Sequence, residues 1–217
     1  MNISELPKIT GDVYVLGSGS SLNYIKPSFF KGKTVIGINH IHKLFPVTYG
    51  ISNHTAIIQE MIDNHVLGVC PEWDMGIYGR KRSNLKGNYY TFKHKNNLLY
   101  IFDERHIGYE DIDFSDFDNH ESLIVGATTS SAIHLAQRIG ATNIILCGID
   151  GGTIDGNVSV TKYPYGATNP QHIADFEPQL KIVCDYIRGK GVGVYSLNPF
   201  INFNLEGHRF ENCLLDS

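Results

Sequence analysis

Along this chain, short runs of consecutive apolar residues alternate with longer stretches in which apolar positions recur every three or four residues. Asp12-Val-Tyr-Val-Leu16 ends at Gly17 without polar alternation, the mark of a strand buried on both faces. Thr34-Val-Ile-Gly-Ile38 repeats it, with weaker versions at residues 47–52 and 66–70. In the second half, Ser122-Leu-Ile-Val125, Asn143-Ile-Ile-Leu-Cys147 and Gly193-Val-Tyr-Ser-Leu197 read the same way. Helical spacing falls between them. Residues 54–64 carry Ala56, Ile57, Met61 and Ile62, and residues 128–140 place Ala132, Ile133, Leu135, Ala136 and Ile139 on one face with Gly140 as C-cap. A last helix is predicted over residues 171–189. This alternation predicts an α/β, Rossmann-like, mostly parallel sheet with helices on both faces.

The pattern breaks between residues 71 and 121, a stretch rich in Tyr, Asn, Lys and Asp that holds Trp73. Its persistent aromatic residues argue for a mixed insertion carrying short strands, among them Leu98-Leu-Tyr-Ile-Phe102, and lining part of a substrate pocket. A second polar stretch, residues 151–171, reads as a lid loop. The expected organisation is one nucleotide-binding domain over residues 1–217, with the insertion at about 71–121 and the lid at about 151–171.

Composition narrows the function classes. With 42% hydrophobic and 18% charged residues the chain builds an ordinary core. Lys plus Arg number 18 against 22 Asp plus Glu, a net charge of −4, and Arg80-Lys81-Arg82 is the longest basic run. Nucleic acid is therefore not the expected partner, whereas a small anionic ligand remains compatible. No apolar run reaches the ~20 residues of a membrane span, and the first residues lack a secretory layout. The four cysteines show no C-x-x-C spacing. Cys147 in a strand and Cys184 on a helix read as buried free thiols, which points to a reducing cytoplasm.

Ligands of an open parallel sheet bind beyond the carboxyl ends of its strands, so the residues there carry the candidate chemistry. After the first strand, Gly17-Ser18-Gly19-Ser20-Ser21-Leu22 offers glycines for close ligand approach and serines to cap a short helix, a phosphate site by its free N–H groups. Equally, it makes a tight turn with no ligand. Leu22 replaces the third glycine of the dinucleotide fingerprint and no acidic residue closes the second strand, which argues against NAD. Asn39 and Asn53 follow the second and third strands; each amide suits a ribose or base edge, or simply a turn. Asp150 can accept from a sugar hydroxyl, hold a metal or cap the glycine turn. Thr128 and Thr129 open a helix with hydroxyls and N–H groups, or serve as plain N-cap residues. Tyr163, Tyr165 and His172 lie in or just after the lid. His172 is the candidate general base, since imidazole titrates near neutrality, or an ordinary helix-start histidine. His40-x-His42 comes closest to metal-ligand spacing, and no metal site is expected.

Val13-Tyr-Val-Leu-Gly-Ser-Gly-Ser-Ser-Leu22, Gly37-Ile-Asn39, Asn53, Thr128-Thr-Ser130 and Ile144-Ile-Leu-Cys-Gly-Ile-Asp150 recur in this order in two related groups. The chain resembles the bacterial sialyltransferases of glycosyltransferase family 42. It also resembles the wider group named after an archaeal hydroxymethylpterin diphosphokinase, with flagellin-glycosylation accessory factors and phage proteins. The likeness spans residues 13 to about 199. It implies that Gly17, Ser18, Gly19, Ser20, Asn39, Asn53, Thr128, Thr129 and Asp150 hold a cytidine monophosphate donor. It further implies that Tyr163 and Tyr165 hold the donor's phosphate and that His172 is the base on the acceptor hydroxyl. Where those sialyltransferases have Gly-Asn-Gly-Pro-Ser, this chain has Gly-Ser-Gly-Ser-Ser, without the first amide.

The expected function is sugar transfer from a nucleotide-activated donor such as a CMP-sugar, with a sialic-acid-like sugar as the family's example. No obligate cofactor is needed, and the partners are a nucleotide-sugar and a sugar acceptor. The alternatives are an ATP- and Mg²⁺-dependent diphosphokinase with Asp150 on the metal, or a non-catalytic nucleotide-binding accessory or phage protein. No Walker A lysine follows the first turn.

Overall fold

A computed structural model of the chain describes residues 3–71, 73–74, 83–84, 99–106, 122–125, 127–164, 177–197, 207–209 and 211–215. The apolar runs form strands β1 (Gly11–Leu16), β2 (Thr34–Ile38), β3 (Tyr49–Ile51), β4 (Leu67–Pro71), β7 (Leu99–His106), β8 (Ser122–Val125), β9 (Ala141–Cys147), β10 (Gly193–Leu197) and β11 (Gly207–Arg209). They build one nine-stranded sheet in the order β11-β10-β9-β1-β2-β3-β4-β7-β8. Every pairing in it is parallel. Two short strands, β5 (Trp73–Asp74) and β6 (Ser83–Asn84), pair antiparallel apart from it. Within the expected insertion, β7 is therefore a strand of the main sheet, seated between β4 and β8.

Successive side chains of the central strands point to opposite layers. Val13, Val15, Ile36, Ile38, Ile144, Leu146 and Val194 form one core with residues of α2 (Thr128–Ile139) and α3 (Glu177–Gly189). Tyr14, Leu16, Val35, Ile145, Cys147 and Leu197 form another with Leu22, Ile25, Phe30, Ile41 and Phe45. That second core takes in short 3₁₀ segments at Ser20–Tyr24, Pro27–Phe30 and Asn39–Lys43, and α1 (Thr55–Asp63) packs a separate cluster of Ile57, Ile58, Met61 and Ile62 with Cys70. Gly50 and Gly68 stand opposite each other on β3 and β4. A Cβ at Gly50 would press into Met61, and one at Gly68 would touch Ile58 and Ile62, so the missing side chains let α1 lie close. Gly140 ends α2 at φ +106, the C-cap read from the sequence.

The chain runs outward from β1 to β8, and α2 carries it back to β9 on the other flank of β1. Strand order thus reverses between β1 and β9, where an open α/β sheet opens its crevice. All strands of the main sheet being parallel, the residues following β1, β2, β3, β8 and β9 share one sheet edge. The C-terminal segment braces the chain leaving β1. Lys26 N–H donates to the Cys213 carbonyl at 2.8 Å and Leu215 N–H to that of Tyr24 at 2.8 Å. Arg209 pairs with Asp12 at 2.5 Å, and Tyr14 donates to Glu211 at 2.6 Å. All four cysteines are buried and free. Among the described residues no helix is long and apolar enough to cross a membrane.

Candidate functional site

At the reversal point, the turns after β1 and β9 interlock. Gly17 N–H donates to the Cys147 carbonyl at 2.9 Å and Gly19 N–H to that of Gly148 at 2.7 Å. A Cβ at Gly17 would drive into the Gly148 carbonyl, and one at Gly19 into the Asp150 carboxylate. These glycines permit close approach, but of the chain's own second turn. Gly148 itself takes φ +61 against Leu22. Asp150, 6% exposed, accepts the Ser21 N–H through Oδ2 at 2.7 Å. Ser20 and Ser21 therefore lie inside the 3₁₀ turn, and the carboxylate from the turn after β9 supplies the cap that the sequence assigned to a serine. Burial pushes the Asp150 carboxyl above its ordinary value despite that bond. Its Oδ1 is buried without a hydrogen-bond partner.

The first part of the expected lid is strapped onto this turn. Val160 N–H donates to the Ser18 carbonyl at 2.8 Å, and Gly19 bridges Ser159. Ile154 N–H reaches Ser20 Oγ at 3.3 Å, Thr161 N–H reaches Asn23 Oδ1 at 2.8 Å, and Tyr24 donates to Asp155. Val160 is buried, and half-buried Tyr163 packs beside it in the second core. The Tyr163 ring stands edge-on to His40 with centroids 6.3 Å apart, so the strap reaches from β1 across to the end of β2. Tyr165 and His172 lie outside the described residues.

Asn39 leaves β2 at φ +53, a left-handed conformation that asparagine tolerates better than most residues. Ser52 Oγ donates to its Oδ1 at 2.8 Å, and His54 N–H donates to Ser52 Oγ at 3.1 Å. Ser52, a serine that the sequence reading passed over, thus bonds Asn39 and stands next to Asn53 in the chain. A lone Ser at a strand end gives no signal of that kind. Asn53 is 7% exposed and its Oδ1 is buried without a partner. Beneath them His40 Nδ1 lies 3.2 Å from Glu60, and Lys43 Nζ lies 2.6 Å from the same carboxylate. Burial holds the His40 and His42 imidazoles below their ordinary value. Burial opposes ionisation of Glu60 too, but Lys43 and His40 outweigh it and hold that carboxyl low. Among the described residues no three His, Cys, Asp or Glu side chains group to hold a metal.

Thr128 and Thr129, half-buried, open α2 on the same edge after β8. The N-cap is Ala127, which offers no side-chain acceptor to the first N–H groups. Its own N–H donates to Gln179 Oε1 of α3 at 3.1 Å, joining the two helix starts. Ser130 is buried and its Oγ has no partner.

No family model and no curated protein matches the sequence. Solved structures do share the fold. The sialyltransferase CstII from Campylobacter jejuni, in complex with the substrate analogue CMP-3FNeuAc, aligns at a TM-score of 0.54 and 14% identity, over 98% of this chain and 92% of that one. A CST-II variant in complex with CMP aligns at 0.53 and 14%, over 91% and 86%. The MAf glycosyltransferase from Magnetospirillum magneticum AMB-1 aligns at 0.52 and 11%, over 96% of this chain but 34% of that one. At these identities the chain shares with them a Rossmann-like α/β fold, remotely and over nearly its whole length.

Proposed function

We propose that the chain is a glycosyltransferase-like enzyme that moves a sugar from a nucleotide-activated donor such as a CMP-sugar to a hydroxyl acceptor. The observation that carries the reading is the unspent polar chemistry at one sheet edge: the amide of Asn53, the orphaned oxygen of Asp150 and an α2 start without a side-chain cap. The neighbours with this fold that hold CMP or a CMP-sugar analogue support the choice of donor. An uncapped helix start beside two threonine hydroxyls suits the donor phosphate. Asp150 Oδ1 suits a ribose hydroxyl, and Asn39 and Asn53 suit the rest of the nucleoside. Gly17, Ser18, Gly19 and Ser20 shape the floor under it.

In the reaction, the acceptor oxygen bonds to the anomeric carbon as the bond from that carbon to the phosphate oxygen breaks, and the electron pair leaves with the nucleotide. His172 takes the acceptor proton, while Tyr163 and Tyr165 steady the departing phosphate. Backbone N–H groups and hydroxyls meet the phosphate charge, so no obligate metal enters the scheme.

A thermal-shift screen with CMP, CDP, UDP, GDP, ATP and AMP, each with and without Mg²⁺, tests this. Ligands of the folded state raise its melting temperature, so CMP should stabilise without metal. Stabilisation by ATP only with Mg²⁺ points to a diphosphokinase instead, and nucleotide binding without turnover points to an accessory protein. With an accepted donor and acceptor, His172→Ala should lower turnover by ~10²–10⁴ at nearly unchanged nucleotide affinity. Unchanged turnover, with a flat pH–rate profile around ~6.5, removes the histidine from the mechanism.

A further inference from the structure

We infer that Ser52 is a positioning residue that turns the Asn39 carboxamide so that its NH₂ group, and not its oxygen, meets the bound nucleotide. The inference rests on the nucleotide reading above and extends it to which kind of ligand atom Asn39 selects. An asparagine amide presents a donor on one side and an acceptor on the other, and nothing in the amide itself decides which faces out. Here the decision is made from behind. The Ser52 hydroxyl is wholly buried and has a single proton to give. It accepts the His54 N–H at 3.1 Å, and its proton goes to Asn39 Oδ1 at 2.8 Å. The Asn39 backbone is fixed as well, at φ +53 with its carbonyl 3.0 Å from His42 Nδ1. With Oδ1 taken, half-buried Asn39 has its two amide N–H bonds for the sheet edge. It selects a hydrogen-bond acceptor: a phosphate or sugar oxygen, or the O2 or N3 of cytosine. A donor placed there would find no acceptor.

Calorimetric titration of the full chain with CMP, cytidine and ribose 5-phosphate tests this in the parent and in Ser52→Ala, Asn39→Gly, Asn39→Asp and the Ser52→Ala/Asn39→Gly pair. Asn39→Gly keeps the left-handed backbone and deletes the amide. Ser52→Ala should weaken CMP about fivefold to tenfold, the worth of one oriented hydrogen bond, and should add nothing in the Asn39→Gly background. Asn39→Asp keeps the shape and the Ser52 bond but faces the ligand with an acceptor, so it should bind CMP more weakly than Asn39→Gly. That arm holds even if Ser52→Ala folds poorly. A Ser52 effect that persists with cytidine assigns the acceptor atom to the nucleoside; one that persists with ribose 5-phosphate alone assigns it to the sugar phosphate. Asn39→Asp binding as tightly as the parent, or a Ser52 penalty that adds in full to that of Asn39→Gly, overturns the proposal and leaves nucleotide binding standing. A parent that binds none of the probes overturns both.

Discussion

The turn after β1 and the ends of β2 and β3 occupy one sheet edge and use their polar groups in opposite ways. At the first, the N–H groups of Gly17, Gly19 and Ser21 all end on β9 or on the turn that follows it. At the second, Asn53 keeps an unpartnered buried oxygen, and Asn39 is held by its oxygen alone with the amide N–H bonds left over. A glycine-rich turn at a switch point invites reading as a phosphate cradle. Here its glycines serve a contact within the chain. Glycine reports that something comes close; it does not report what. The amides, Asp150 Oδ1 and the uncapped start of α2 are the polar groups that the proposed nucleotide would satisfy.

The sharpest way to break this contrast is to put a methyl group on the first turn. Gly17→Ala sets a Cβ against the Gly148 carbonyl, a backbone atom that no side-chain rotation moves aside. Chemical denaturation should show a loss of about 1–3 kcal/mol, the usual cost of overpacking. A variant as stable as the parent would return the glycines to the ligand.

A smaller effect sharpens the role of Asp150. Burial raises its carboxyl in the folded chain above the ordinary 3.8, so the folded form holds the proton more tightly than the unfolded one. The stability it contributes is therefore complete below that ordinary value and is lost as pH rises through the raised native one. Asp150→Asn has no such loss and keeps an oxygen for the Ser21 N–H. As pH rises above about 3.8, its melting temperature should gain on the parent's, and the gain should level off once the native carboxyl has ionised. A gap that stays constant with pH would mean the native carboxyl titrates like an exposed one.

The strands were legible because buried parallel strands are apolar without alternation, and β2, β8 and β10 run over the residues that pattern marks. The three-residue β11 carries too little pattern to see, and the four- and five-residue 3₁₀ segments are too short to repeat a helical period. At the site, the strand-end positions of Asn39, Asn53 and Asp150 could be read because topology alone puts strand ends on one edge. Their partners could not. Ser21 meets Asp150 across 129 residues, and Ser52 acts on Asn39 through a hydroxyl that looks like any other serine. Tertiary pairing of this kind leaves no local period to detect.

Calorimetric titration of CMP into the parent and Asn39→Gly without Mg²⁺ asks whether the amide end of the edge reads the nucleotide. The left-handed backbone suits glycine, so the variant should melt close to the parent. The parent should bind, and affinity should be about tenfold lower in the variant, the worth of about 1.4 kcal/mol. Equal affinity in the two proteins would contradict that role for the amide.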